Sequence, residues 1–544
     1  MGIPSYFSYI VRNHRAIIKK INADSPKINN LYLDCNSFIY EAHHSLINGN
    51  KHQPAAHEEN IINYVCESLI KMIQHLKPNK RLLIAFDGVA PMAKLNQQRN
   101  RRYMNAFQHS AQTEWNTAAI TPGTAFMQKL GADITKRFQN PTEFGLEQII
   151  VSSSEEAGEG EHKIYDYIRT HPAYHKETQT IIYGLDADLI MLTLNHLHIS
   201  EQLYLYRETP EFIKHIDKTL NPNENYLLDI PLFAQTIIQE LGGTSKSPTT
   251  LNDDMLFDYI LLCFFLGNDF LPHFPALNIR TTGIHNLLNA YKFVFQENGE
   301  TLTKKREICW KNMRKFIGHL ASHELEYIQE EYVQREKMSK RVQQGRQAPA
   351  GRQSQAQAGR QAPAPAGRQA PAEDENLLLP LKERTHEEYI NPLEEGWETR
   401  YYKMLFNTRI DDDRRKEIST NYLEGLEWTM KYYSTGCADW RWMYHYHYPP
   451  LLVDLLRYVP CFDHTFVPPQ PKQPVSALVQ LCYVLPPTSM GLIPFALHQK
   501  LLREQPEWYP NDHVFLWAFC KYFWEAHVEL PHIDMAALEA LVKQ

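Results

Sequence analysis

The sequence predicts an α/β fold: a mostly parallel central sheet flanked by helices, with a second, helix-rich and aromatic segment packed against it. Three observations carry that prediction. Apolar runs of strand length at 30–33, 81–86, 148–151 and 180–183 alternate with helical patterns, as βαβ crossovers require. Acidic residues close or follow each of these runs, on the edge where an open parallel sheet gathers its ligands. Aromatic residues crowd 428–448, which gives the back of the chain a broad packing surface.

Size and charge bound what such a fold can do. The chain has 544 residues, enough for three or four pieces of about 150 residues each. Its 56 Lys and Arg against 63 Asp and Glu leave a net charge of −7, which excludes a basic coat over the whole molecule. A nucleic-acid site has to be a local basic patch or draw its positive charge from metal ions. The longest strongly apolar run, 259–266, is far short of the roughly twenty residues of a membrane span. The start, Met-Gly-Ile-Pro-Ser-Tyr-Phe, lacks the charged and then apolar stretch of a secretory signal, and Tyr6 stands where a myristoylation motif wants Ser or Thr. The eight cysteines are scattered with no Cys-x-x-Cys pair and read as reduced, mostly buried thiols. The expectation is an intracellular protein without a membrane anchor, cytoplasmic with a nuclear location left open. The sequence names no protein partner.

Along the chain, the first strand, 30–33, is followed directly by Asp34. A helical pattern at 61–76 leads to the second strand, 81–86, which is followed by Asp87. Pro91 suits the first turn of a helix over 91–108. On it Lys94, Gln98, Arg101 and Arg102 are spaced i, i+4, i+7, i+8 and share one face. Three positive charges and an amide in a stripe suit a terminal phosphate, although the ordinary fate of such a run is a solvated face. The third strand, 148–151, runs into Glu155-Glu156-Ala157-Gly158-Glu159-Gly160-Glu161, and a helix over 161–169 follows. The fourth, 180–183, leads to Asp186-Ala187-Asp188, and a buried helix at 255–266 ends at Gly267. From 341 to 376, Gly-Arg-Gln-Ala-Pro-Ala units offer almost nothing to bury, so a disordered linker is expected there. It divides a front region, 1–340, from a back region, 377–544.

A single acid after a strand is usually a turn residue or a helix cap. Asp-x-Asp also occurs in haloacid-dehalogenase-type phosphatases. The recurrence of acids at successive strand ends is what points to metal. Carboxylates gathered at one place repel one another unless a counter-charge is present, and Mg²⁺ and Mn²⁺ prefer oxygen ligands. Two such ions about 4 Å apart can activate a water and stabilise the leaving oxygen of a phosphodiester. The residues so implicated are Asp34, Asp87, Glu159, Glu161, Asp186 and Asp188.

Several longer motifs carry a resemblance. The N-terminal Met-Gly-Ile-Pro-Ser-Tyr-Phe, Leu-Asp-Cys-Asn-Ser (33–37), the run from Asp87 to Arg102, Gly-Glu-Gly-Glu-His-Lys (158–163), the run from Tyr183 to Leu192 and Leu-Gly-Asn-Asp-Phe-Leu-Pro-His (266–273) resemble the Xrn family of 5′→3′ exoribonucleases. In the back region Tyr-Leu-Glu-Gly-Leu-Glu-Trp (422–428), Trp440-Arg-Trp442, Tyr446-His-Tyr-Pro-Pro450 and Val-Leu-Pro-Pro-Thr-Ser (484–489) are similar to the family's second conserved region. The resemblance covers nearly the whole chain except the linker.

It implies a flap-nuclease or PIN-like catalytic core over 1–340 and a second region, 377–544, that completes the active-site channel. It implies seven metal-site acids, the six above and Asp269, holding two Mg²⁺ or Mn²⁺ ions, with Asn36 and Asn268 in support. Lys94, Gln98, Arg101 and Arg102 match the pocket for the 5′-monophosphate of single-stranded RNA, which such enzymes degrade processively to mononucleotides in RNA processing and mRNA decay. Tyr40, where the family has His, and Trp440 or Trp442 are the candidates for stacking on a base, which is a sequence-tolerant contact. Plain core packing is the competing fate of those tryptophans. Ala157 stands where the family often has Pro. The chain stops soon after Leu530-Pro-His-Ile-Asp, which implies a minimal form without the long C-terminal extension. Two rival readings remain: a flap or structure-specific DNA nuclease of the same superfamily, and an inactive RNA-binding scaffold, which the presence of all seven acids argues against.

Overall fold

The computed structural model describes residues 3, 5–21, 27–48, 56–108, 115–207, 220, 221, 224, 226–242, 253–347 and 377–543. The four expected strands all form, as β2 (Asn30–Asp34), β3 (Arg81–Ala85), β4 (Gln148–Ser152) and β5 (Thr180–Tyr183). They lie parallel in the order β5-β2-β3-β4. Three further strands that the apolar pattern did not announce widen the sheet to seven: β1 (Ile18–Lys20), β6 (Leu203–Arg207) and β7 (Tyr226–Leu228), in the order β1-β7-β6-β5-β2-β3-β4. β6 joins parallel, while β7 and β1 pair antiparallel at the edge. Their own sequences are short or partly charged, so partners on the sheet decide their conformation more than propensity does.

Alternation along the central strands builds a core on each face of the sheet. Leu31, Leu33, Leu82, Ile84 and Ile181 point to one side, against α2 (His57–Leu76). Tyr32, Leu83 and Ile182 point to the other, against α4 (Gly160–Thr170), α5 (Asp188–His196) and α6 (Asp253–Phe264). Between them in sequence come α1 (Asn36–Asn48) after β2 and α3 (Met92–Gln108) after β3. The chain steps β2→β3→β4 to one side and β5→β6 to the other, so the strand order reverses between β2 and β5. That reversal opens a crevice at the carboxyl ends of those two strands.

The back region packs as expected, and it shares its interior with the front. Trp428, Tyr432 and Tyr433 of α8 (Asp412–Ser434) lie in the same continuous core as Ile164, Tyr165, Leu189 and Met191. Met92 and Leu95 of α3 pack among Val479, Leu481 and Val484, and Tyr103 and Met104 meet Phe523 and Val528. The linker boundary needs correction. The helix α7 (Glu324–Gln347) runs seven residues into the stretch expected to be unfolded from 341. Its Lys, Arg and Gln residues favour a helix until Pro349 removes a backbone donor. The rest of that stretch, 348–376, lies outside the described residues. All eight cysteines are unpaired, and only Cys461 is exposed. Among the described residues no helix is long and apolar enough to cross a membrane.

Arg99 shows how tightly α3 is held from behind. It is buried, and its guanidinium donates to the carbonyls of Pro531 at 2.8 Å and Trp508 at 3.0 Å. Arg99→Met would leave both carbonyls without that donor. A loss of about 2–4 kcal/mol is expected, read as a lowered thermal melting midpoint against the parent chain. A midpoint unchanged within error would show that these bonds contribute nothing net.

Candidate active site

The crevice is lined by carboxylates from five stretches of chain. Asp34 is the last residue of β2, and its register partner is Ala85 at the end of β3, which in turn pairs with Ser152 at the end of β4. The three strands therefore end at one level, with Asp87 two residues beyond. Asn36, opening α1, grips Asp87 twice: its Nδ2 donates to Asp87 Oδ2 at 2.5 Å, and its Oδ1 accepts from the Asp87 backbone N–H at 3.1 Å. Gly160 N–H donates to Asp87 Oδ1 at 2.7 Å, so the carboxylate sits at the start of α4, where the helix favours negative charge. A Cβ at Gly160 would stand 2.6 Å from Asp34 Oδ1 and 3.2 Å from the Ala85 carbonyl, so only glycine fits between the two acids and the helix.

Glu159 precedes α4, Glu161 lies in its first turn and Asp188 opens α5; all three are buried. Lys163 donates to the carbonyls of Phe86 at 2.8 Å and Ser153 at 2.7 Å, tying the segments after β3 and β4 together. After α6, Gly267 turns with φ +83°, and Asn268 Oδ1 accepts from the N–H groups of Phe270 and Leu271 at 2.9 Å each. That tight loop carries Asp269 into the crevice.

Lys94 departs from the expected arrangement. It shares the helix face of Gln98, Arg101 and Arg102, but its ammonium reaches into the acids, pairing with Asp269 Oδ2 at 2.7 Å and with Glu159 Oε2. Among the described residues it is a cation held directly between two of the acids. Despite burial, which opposes it, the carboxylates of Asp269, Glu159 and Glu161 hold the Lys94 ammonium well above the ordinary lysine range. Against the same burial penalty, Lys94 holds Asp269 well below the usual carboxylate range. Burial and then the neighbouring Asp87 and Asp186 push Asp34 well up. Burial and then Asp188 and Glu159 do the same to Glu161, and burial with Asp269 and Asp186 lifts Asp188 to about 7. The seven acids thus act on one another as a single group. Among the described residues, though, no three His, Cys, Asp or Glu side chains stand together at the spacing of metal ligands. Asp34 Oδ1, Glu161 Oε2 and Asp188 Oδ1 are buried with no hydrogen-bond partner.

The outer part of the stripe faces a different neighbourhood. Arg101 is exposed and still acts on Asp269. Arg102 is half-buried, donates to the Ala118 carbonyl at 3.4 Å, and is pushed by burial down to about 10, which leaves it charged at neutral pH. Gln98 Oε1 is buried with no hydrogen-bond partner. Tyr40, on α1, is 43% exposed and close enough to act on the charge of Arg102. The two tryptophans separate. Trp440 is half-buried, and its carbonyl accepts from Met92 N–H at 3.0 Å, which seats it at the start of α3. Trp442 is corrected to a core residue. It is 9% exposed, its ring is stacked on Trp428 at 5.1 Å, Gly425 lies against one edge, and its indole N–H donates to Glu424.

Two neighbours of the cluster were not foreseen. Tyr432 donates from its hydroxyl to Glu159 Oε1 at 2.9 Å. Arg207, at the end of β6, lies over the Phe7 ring at 4.0 Å and feels Asp186. Tyr432 sits one helical turn after Trp428, a spacing that signals a buried aromatic stripe without showing which polar group its hydroxyl meets.

With this geometry in view, comparison with known proteins is specific. Residues 1–209 match the family model described as XRN 5′-3′ exonuclease N-terminus, and residues 251–544 match the one described as Xrn1 helical domain. A 5′-3′ exoribonuclease 2 homolog of Drosophila melanogaster is 27% identical, covering 100% of this chain and 71% of that protein. The 5′-3′ exoribonuclease 1 of Schizosaccharomyces pombe is 28% identical over 99% of this chain and 48% of its own length, and that of Homo sapiens 28% identical over 98% and 33%. The chain thus spans half or less of the two longer relatives. A solved catalytic core of Rad2 in complex with DNA substrate aligns over 61% of this chain and 79% of its own at 14% identity, with a TM-score of 0.33.

The electrostatics predict a pH dependence. Unfolded carboxyl groups release their protons near pH 4, whereas folded Asp188 keeps its proton to about 7, and Asp34 and Glu161 shift the same way. Between those limits these three groups bind more protons in the folded chain than in the unfolded one, so the stability they contribute is fully present below the window and is lost as pH rises through it. In a divalent-ion chelator the melting midpoint of the parent chain, taken relative to that of Asp188→Asn, should therefore fall over that range. Equal slopes for the two chains would contradict the assignment.

Proposed function

Because the chain belongs to the Xrn family of 5′-3′ exonucleases, we propose that it is a processive 5′→3′ exoribonuclease acting on single-stranded RNA that carries a 5′-monophosphate. The observation that supports this reading best is one juxtaposition: seven acids around one crevice, with a basic helix face that starts among them at Lys94 and runs outward to Arg102. RNA turnover, including mRNA decay, is the role that follows from such an activity.

Asp34, Asp87, Glu159, Glu161, Asp186, Asp188 and Asp269 would hold two Mg²⁺ or Mn²⁺ ions. The donor set fits hard cations, since all are carboxylates and three of their buried oxygens lack any partner. When bound, such ions supply a nucleophilic water at neutral pH and offset charge on the leaving oxygen. The chain's own residues do the rest. Arg101, Arg102 and the Gln98 amide take the terminal phosphate, about 6 to 12 Å along the helix axis from Lys94. A phosphate held there orients the first nucleotide toward the acids, which is how binding at one end selects the bond to be cut. Asn36 fixes the Asp87 carboxylate, and Asn268 shapes the loop that presents Asp269. Tyr40 and Trp440 offer aromatic faces for the base.

Labelled RNA with a 5′-monophosphate, triphosphate or hydroxyl end tests the reading directly. Mononucleotides should be released from the monophosphate substrate in Mg²⁺ and not in chelator. Internal cleavage, or better cutting of flapped DNA, would overturn it. Asp186→Ala and Asp188→Ala should each lower turnover on the order of 100- to 1,000-fold with the circular dichroism spectrum unchanged. Arg101→Ala should cut the preference for monophosphate over hydroxyl ends by about tenfold. Equal losses on both ends would remove Arg101 from the phosphate pocket.

A further inference from the structure

Glu159 stands between Gly158, at φ +108°, and Gly160, in extended backbone before the first turn of α4, and its side chain takes no helix-capping hydrogen bond from its own segment. Its carboxylate is instead held across the molecule. One oxygen meets Lys94, and the other accepts the hydroxyl of Tyr432 at 2.9 Å, from a residue 273 positions further along the chain. Tyr432 cannot wander. It is 2% exposed, its ring is stacked on His162 at 3.7 Å on one side and on Trp428 at 4.8 Å, and Trp428 continues the stack to Trp442 at 5.1 Å. His162 follows Glu161 directly, so the ring column anchors the same turn of α4 that bears the acids.

We propose that Tyr432 is a positioning residue for the divalent-cation site. Its hydroxyl fixes the Glu159 carboxylate, so a helix of the back region sets the geometry of an acid in the front region. The inference rests on the cation reading above. The ring stack needs only the ring; the hydroxyl alone addresses Glu159. Partners of this kind, behind a metal-ligating carboxylate, typically change metal affinity by about 10- to 100-fold when removed.

The test is Tyr432→Phe in the full chain, with Mn²⁺ binding followed by electron paramagnetic resonance of the free ion, without RNA and well below the melting midpoint. Affinity should fall about tenfold. The Mg²⁺ concentration for half-maximal RNA digestion should rise in parallel, while the preference for 5′-monophosphate over 5′-hydroxyl ends stays unchanged. Tyr444→Phe is the control, since it also removes one buried hydroxyl bond, to the Tyr448 carbonyl at 2.7 Å, without touching the acids. It should lower the melting midpoint and leave Mn²⁺ affinity intact. Parental affinity in Tyr432→Phe, or an equal loss in Tyr444→Phe, would overturn the positioning role alone. A parent chain that binds no Mn²⁺ and digests RNA in chelator would instead remove the cation reading, and this role with it.

Discussion

Charge compensation in a crowded crevice is the constraint on which the rest of the molecule depends. Seven carboxyl groups share a region largely shut off from water, where like charges repel strongly and burial already disfavours ionisation. Such a cluster persists only if the fold holds it rigidly and supplies a cation. Lys94 supplies the charge, lodged between Glu159 and Asp269. The rigidity comes from parallel strands ending at one level, from Asn36 on Asp87, from the asparagine turn around Asp269 and from a glycine where no side chain fits. The repulsion lowers stability, a cost that a bound cation would offset.

Much of this was legible in the sequence, for reasons that particular residues make plain. Apolar runs that close on or lead to an acid identified four strands and six of the acids, because strand period and sheet topology leave few alternatives. Asp269 follows a helix and a turn, so only the motif around it pointed to the site. β1, β6 and β7 escape the apolar pattern because β1 and β7 are only three residues each and β6 ends on Arg207, so pairing on the sheet decides their conformation more than propensity does. Helical spacing and the resemblance place Lys94 on a phosphate-binding face. Spacing fixes the face of the helix but does not say how far a long side chain reaches along it. Trp442 and Tyr432 illustrate the same limit for aromatics: the sequence offers Trp442 as a stacking candidate although its ring packs in the core, and it does not show that the Tyr432 hydroxyl meets a carboxylate. The helix past 341 was hidden by Gly-Arg-Gln composition that reads as linker, although its first residues are good helix formers.

Helix α3 shows how one element can serve two ends. Its first turn takes a backbone hydrogen bond to Trp440, its middle is clamped through Arg99 to carbonyls far along the chain, and its outer turns pack on Phe523 and Val528. The basic stripe is therefore presented on a rigid rod whose rear face is held throughout by the back region. That arrangement suits a site in which a phosphate at one point must set the position of a bond at another.

The continuous interior has a further consequence. Neither half owns a complete core: Trp428, Tyr432 and Tyr433 lie beside Tyr165 and Leu189, and without them that side of the front half would be open to water. The two halves are thus not interchangeable modules. A hybrid that borrowed one of them from a distant relative would have to import the matching aromatic surface of the other as well, because fold and reaction centre are inherited across the same seam.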